Sequence, residues 1–207
     1  MKGLTREVLI RTALRLLDEV GLDGLTVRKL AAELGVQSPA LYWHIRTKQE
    51  LLDGMANEII LRAGMGPPLD GESWQEWLRR RARAYRQSVL ASRDGARVVS
   101  GGGRGGAAVQ HFEAELAAMV RLGFTPVQAL RTITTLSHYI NGHVLQEQAV
   151  IESPGSPDLS GLPTLTAALH GGSPVGEEVF EHGLDVFIAG TESRLAAAPG
   201  RTDPSPR

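Results

Sequence analysis

The sequence predicts an all-α protein. Three observations carry that expectation. Nearly every periodic stretch repeats its apolar residues at three- and four-residue spacing. No stretch alternates apolar and polar residues as a half-buried strand does, and the breaks fall at Gly and Pro. With 207 residues, 42% of them hydrophobic, the chain can build a small helical head and a larger body with its own core.

Taken in order, Leu9, Ala13, Leu16, Leu17 and Val20 form the apolar face of a first helix that Gly21 ends. Thr26 can cap a second helix running to Leu34, stopped by Gly35, and Ser38-Pro39 opens a third, since Pro suits a first helical turn. A fourth helix starts near Lys48 and runs to about Ala63; the Gly- and Pro-rich stretch 64–71 then separates head from body. Ser73 caps a long helix with Trp74, Trp77, Leu78, Tyr85 and Val89 on one face, and SGGGRGG at 100–106 reads as a flexible break. A helix from about 107 to 122 is closed by Gly123. Thr125-Pro126 starts a long one reaching about Glu152, its core-like face marked by Leu130, Ile133, Ser137, Ile140 and Val144. After a loop at 153–162 come a short helix over 163–170 and a last one from about Gly176 to Ala197, with Phe180, Leu184, Phe187 and Ile188 facing inward. The organisation expected is a helix-turn-helix head over 1–48, a linking helix over 48–63, a body over 64–198 and a disordered tail over 199–207.

Composition narrows the function. There is no cysteine, which excludes disulfides, thiolate metal sites and cysteine nucleophiles. No apolar run approaches the roughly 20 residues a bilayer demands, and the N-terminus lacks the apolar core of a signal peptide, so a cytoplasmic protein is expected. Residues up to Lys48 hold eight basic against five acidic side chains, although the whole chain is at −1. A basic head on an acidic body suits a polyanionic partner for the head alone.

The most informative stretch is 25–48, LTVRKLAAELGVQSPALYWHIRTK. Leu30, Ala31, Leu34, Val36, Leu41 and Ile45 would bury one side of two short helices, leaving Ser38, Tyr42, Trp43 and His44 on the other. Hydroxyls and His bond phosphates or base edges, and aromatic rings lie against sugars and thymine methyls. Pro39 and Ala40 keep the leading edge small. Arg28 is placed to meet a guanine in two-point fashion, and Lys48 to neutralise a phosphate. Three adjacent large side chains, Tyr42-Trp43-His44, spread around more than one helix face, which argues against all of them being core residues.

Residues 17–53, LDEVGLDGLTVRKLAAELGVQSPALYWHIRTKQELLD, resemble the DNA-binding head of the TetR family of repressors, closest to the branch containing the tetracycline repressor. The resemblance continues more thinly through GESW (71–74), SRDGARV (92–98), LGFT (122–125) and the segment His138–Gln146. It implies an all-α homodimer that binds a near-palindromic operator in double-stranded DNA and answers to a small-molecule effector. By position it places Thr26, Arg28, Gln37, Ser38, Pro39, Ala40, Tyr42, Trp43, His44 and Lys48 at the DNA. Gln37-Ser38 and Ala40 depart from the tetracycline repressor's own residues, which points to a different operator sequence.

In the body, Arg81 shares the apolar stripe of Trp74, Trp77, Leu78 and Tyr85, and Glu115 sits between Phe112 and Met119. A charge on an apolar stripe is costly unless paired, so these two either form a structural ion pair, snorkel to solvent, or line a pocket and orient a polar ligand. The resemblance aligns Arg81, Tyr85, Phe112, Glu115 and Ser137 with ligand-pocket positions. The branch holds its drug as a magnesium chelate. Here Val99 stands where its metal-binding histidine would be, Gln146 where a glutamate is expected, and Gly101–Gly106 replaces a drug-contacting loop. Neither replacement suits a hydrated divalent cation, so no cofactor, no metal site and an effector other than magnesium–tetracycline are expected.

Other motifs are weaker. Gly101, Gly103 and Gly106 match GxGxxG, but a dinucleotide fingerprint needs a preceding strand and an acidic residue about 20 positions on, and 121–126 holds no acid. His111, His138 and His143 read as satisfied core or interface residues rather than metal ligands, and Arg79–Arg81 with Arg83 and Arg86 as mostly a solvated helix face. No Ser-His-Asp arrangement or carboxylate pair supports an enzyme. A regulator controlled by a protein partner, or by nothing, is the alternative; a body cavity filled by side chains would favour it.

Overall fold

The computed structural model of the chain describes residues 4–103, 105–152 and 158–197; among them are ten α-helices and no strand. The tail expected at 199–207 lies outside the described residues, as does part of the loop at 153–162.

Four helices form the N-terminal part: α1 (Arg6–Gly24), α2 (Val27–Glu33), α3 (Ser38–Leu41) and α4 (Lys48–Arg62). Each long start is capped by a hydroxyl. Thr5 Oγ1 accepts from Val8 N, Thr26 Oγ1 from Lys29 N and Thr47 Oγ1 from Glu50 N, at 3.3, 3.2 and 3.0 Å. In α1 the helical path breaks at Gly21 (φ +69°), a left-handed conformation that favours Gly, and one further turn runs on to Gly24. Leu9, Ala13, Leu17, Leu30, Leu41, Ile45 and Met55 bury the shared core of these helices. The Leu, Ile and Met side chains so enclosed contribute roughly 1.5–3 kcal/mol each relative to exposure, which is what allows helices as short as α2 and α3 to hold their shape.

The larger bundle comprises α5 (Trp74–Leu90), α6 (Gly95–Gly101), α7 (Ala107–Arg121), α8 (Pro126–Glu152), α9 (Pro163–Gly171) and α10 (Glu177–Ala196). Ser73 and Glu76 close a reciprocal capping box at the start of α5. Trp77 Nε1 donates to Gly66 O at 2.9 Å, fastening the 64–71 junction to α5. Trp77, Leu78, Tyr85, Val89, Ile133, Leu136, Ile140, Val144, Phe180, Leu184 and Ile188 fill the core.

Three sequence expectations need correction. A helix passed over in the sequence lies just before the glycine run: α6 ends at Gly101, so only Ser100 and Gly101 of the stretch read as a break are helical, and the helix is too short for a period to announce it. It is fixed by the buried Ala96, Val98 and Val99, and by Gln148, whose Oε1 accepts from Ala96 N at 3.2 Å. Its first residue must be small, because a Cβ on Gly95 would strike the carbonyl oxygen of Val89. On α8, Leu130 is 45% exposed and Ala129 takes the buried position, a shift of one residue in the face.

The arginines of α5 are also not a solvated face. Arg79 pairs with Asp185, Arg80 with Glu72, Arg83 with Glu181 and Arg86 with Glu147. Their acidic partners lie mostly on α8 and α10, far away in sequence, where periodicity gives no hint of them. The more exposed pairs contribute about 0–1 kcal/mol each; Arg86 and Glu147 are largely enclosed.

Candidate nucleic-acid interface and buried cavity

The turn between α2 and α3 and the end of α3 form a projecting surface. Leu41 and Ile45 anchor it from below. His44 N and Ile45 N both donate to Leu41 O, at 2.9 and 3.0 Å, so the helical winding continues as turns past Leu41. Arg46 N then donates to Glu50 Oε2 at 2.8 Å, locking the step into α4. On the outside, Trp43 is 89% and Tyr42 52% exposed, which removes the core-aromatic reading. Gln37, Pro39, Arg28, Thr26 and Lys48 are exposed beside them, while Ser38, Ala40 and His44 are half-buried. Gln37 is the residue preceding α3 and makes no side-chain cap; Ser38 is already helical. The open aromatic pair lies beside the exposed cations Arg28 and Lys48, the chemistry a nucleic-acid interface requires.

The second site is internal. Arg81 and Glu115 are each 4% exposed and form a two-point ion pair, Nε to Oε1 at 2.8 Å and Nη2 to Oε2 at 3.0 Å. They are at once a structural pair and the wall of a cavity, shared with Ile60, Leu61, Met65, Tyr85, Ala108, His111, Phe112 and Ser137. Its free volume is about 30 Å³, room for one or two waters and far below the roughly 300 Å³ of a small-molecule site. Arg81 Nη1 is buried with no hydrogen-bond partner among the described residues. The Ser137 hydroxyl is spent on Ile133 O at 2.9 Å.

Of the sequence-chosen body residues, Arg81, Tyr85, Phe112, Glu115 and Ser137 meet here, and Gln146 does not: it is exposed. Its neighbour Glu147 turns inward, but both of its carboxylate oxygens are taken by Arg86, at 2.5 and 3.1 Å. His143 Nε2 lies 3.7 Å from Glu147 and 3.0 Å from Gly176 O. Val99 is 8% exposed on the inner face of α6. Among the described residues no three His, Asp or Glu side chains are grouped to hold a metal ion. Val99 carries no donor atom and both Glu147 oxygens are engaged by Arg86, so these two side chains do not fit a magnesium chelate.

Sequence reasoning missed the ties between α4 and the glycine run. Asp53 Oδ1 accepts from Gly103 N at 2.6 Å, Asn57 Oδ1 from Gly105 N at 3.3 Å, and Gln49 Nε2 donates to Gly101 O at 2.8 Å. The signal was present as three polar residues, 49, 53 and 57, at four-residue spacing on one face of α4. A second tie joins the end of α1 to the α5–α6 turn. The buried Asp94, itself left-handed (φ +56°), accepts from Leu22 N at 2.7 Å and from Arg97, which also holds Asp23.

The amide of Gly103, and then Gln49, hold the Asp53 carboxyl below the usual carboxylate range. A depressed carboxylate contributes stability that is fully present above its unfolded value, about 3.9, and is lost as pH falls through the folded one. Acidification below about pH 4 is expected to loosen this tie. Hydrogen exchange at Gly103 should therefore show protection that declines there, and Asp53→Asn should remove the pH dependence.

The comparisons agree with this geometry. Residues 9–55 match the family profile described as bacterial regulatory proteins, tetR family, and residues 67–195 match the tetracyclin repressor-like C-terminal domain. The tetracycline repressor protein class D of Escherichia coli is 41% identical over 203 residues, spanning 95% of this chain and 93% of that protein. A possible TetR family transcriptional regulator of Streptomyces coelicolor A3(2) superposes with a TM-score of 0.81 at 32% identity, over 91% of this chain and 99% of that one. A TetR variant from Acinetobacter baumannii AYE, crystallised with minocycline, gives 0.77 at 34% identity, over 93% and 98%. Among the described residues no helix is long and apolar enough to cross a membrane. With a helix-turn-helix part, a helical effector-type bundle and relatives matched over nearly its whole length, the chain belongs to the TetR family of transcriptional regulators, which are DNA-binding proteins and not enzymes.

Proposed function

We propose that this chain is a cytoplasmic, ligand-responsive transcriptional repressor. As a homodimer it binds a palindromic operator through residues 1–48 and is released by a small molecule held in the body over 64–198. The observation that carries this reading is that one helix serves both sites. Lys48, the first residue of α4, stands at the aromatic surface, and Ile60 and Leu61, in its last turn, close the cavity. Enlarging the cavity pushes on α4 and so re-aims α3. Thr26, Arg28, Gln37, Ser38, Pro39, Ala40, Tyr42, Trp43, His44 and Lys48 are the proposed DNA contacts. Arg81, Tyr85, Phe112, Glu115 and Ser137 are the proposed effector contacts; Gln146 supports no such role from its exposed position.

Release requires the effector to prefer the displaced state and not merely to bind. Moving a dimer population from 1:99 to 99:1 takes about a 10⁴-fold preference. The ties of α4 to Gly101–Gly105 and of Leu22 to Asp94 are the contacts through which that preference can reach the DNA-binding part.

The effector we propose is not magnesium–tetracycline, because Val99 is apolar and enclosed, Gln146 is uncharged and points outward, and Glu147 is engaged by Arg86. Saturating magnesium and tetracycline should leave the operator complex intact in a fluorescence-anisotropy titration; tight, magnesium-dependent release would sink this claim. The small free volume favours a second reading, a regulator answering to a protein partner or to nothing. Screening polar aromatic compounds for operator release separates the two: release by any of them supports the first.

A further inference from the structure

We propose that the cavity beside Arg81 takes an uncharged molecule whose carbonyl oxygen, a ketone's for example, accepts a hydrogen bond from Arg81 Nη1. This rests on the reading of that cavity as the effector site. Three observations lead to the class. First, Nη1 is a buried donor with no partner among the described residues, on a side chain only 4% exposed. Nature rarely leaves such a group unmet, and a charge-assisted bond to it is stronger than a neutral one.

Second, the charge there is already balanced. Glu115 occupies Nε and Nη2, so a carboxylate or phosphate entering beside the pair would be a buried anion with no counter-charge of its own, and an ammonium group would meet a cation. Both are costly in a closed site. An uncharged acceptor satisfies Nη1 without disturbing the balance.

Third, apart from His111, Tyr85 and Ser137 the rest of the wall is apolar. Ile60, Leu61 and Ala108 flank the pair, with Met65 and Phe112 as its adaptable members. Met is unbranched and fills irregular gaps, and Phe112 is only half-buried, so these two side chains are the ones that give way. In the free protein the 30 Å³ of space leaves Nη1 covered and unpaired among the described residues. A flat apolar body carrying one carbonyl opens the site against α4 and uncovers that donor.

The test uses the full-length protein and three bicyclic probes of nearly one shape: 1-tetralone, tetralin and 1,2,3,4-tetrahydronaphthalene-1-carboxylate. Direct binding is measured by calorimetry, without DNA. The ketone is expected to bind at least about tenfold more tightly than tetralin, the increment of a hydrogen bond to a charged donor, and more tightly than the carboxylate. In Arg81→Met/Glu115→Leu, which removes both charges and so avoids stranding either, tetralin should still bind and the ketone's advantage should vanish. A carboxylate that outbinds the ketone, a ketone no better than tetralin, or an advantage that survives in the double variant overturns the proposed class while leaving the cavity as the site. Failure of all three probes to bind overturns the cavity reading itself.

Discussion

Replacing Tyr42 and His44 together by Ala should cut operator affinity by at least about thirtyfold, with the dimer and its helical content unchanged. The size follows from what is removed. A good base-edge contact is worth about 1–3 kcal/mol, and this variant deletes two side chains at the centre of the projecting surface. The integrity of the fold follows from where they stand. Tyr42 is 52% exposed and His44 half-buried, while the anchors Leu41 and Ile45 are untouched. Electrophoretic mobility shifts alongside sedimentation would check it. Undiminished binding by a dimeric double variant would remove α3 from the DNA. Lys48→Ala should behave differently, weakening all DNA sequences about equally and flattening the salt dependence, as loss of a phosphate contact does.

The second large effect lies inside the body. Glu115→Ala should destabilise the protein by about 3–5 kcal/mol, because it strands a buried guanidinium. Against a total stability of about 5–15 kcal/mol, that is enough to unfold a large share of molecules at moderate temperature. Arg81→Met/Glu115→Leu should recover most of the loss, since a buried ion pair is often no more stable than well-packed apolar residues of the same volume. Urea denaturation of the three proteins gives the comparison. If Glu115→Ala unfolds at the same urea concentration as wild type, the pair is not the enclosed interaction that its 2.8 and 3.0 Å contacts imply.

How far the fold was legible depended on the range of the interaction behind each element. Thr26 and Ser73 announce helix starts because a cap acts over three residues, and both hydroxyls make those bonds. Gly21 marks the end of the regular part of α1 because a left-handed residue is a local requirement. The short α6 was invisible, since its stability comes from Gln148 and the bundle core and not from its own period. The burial of Ala129 in place of the larger Leu130 is likewise set by what lies opposite α8. The arginines of α5 looked solvated because their partners on α10 lie about a hundred residues away.

The sites divide in the same way. Tyr42-Trp43-His44 crowd three large side chains into the turns that continue α3, more than one buried face can take, and the first two are exposed. Arg81 and Glu115 were each visible as a charge out of place on an apolar stripe, but their being both paired and cavity-lining is a tertiary fact. Gln146 is exposed on the single chain, and the inward carboxylate is one residue on, already held by Arg86, which periodicity did not show. The ties of Asp53 and Asn57 left only a polar stripe on α4 in the sequence, and that of Asp94 left no trace, because their partners are backbone amides distant in sequence.

Selection of bound sequences from random duplex DNA with the full-length protein is the decisive measurement. Two α3 surfaces related by a two-fold axis should enrich an inverted repeat, its half-site centres separated by about one helical turn, roughly 10–10.5 base pairs or a multiple of it. Enrichment of a single asymmetric site, or of no sequence over background, would contradict a dimeric repressor reading DNA through residues 37–44.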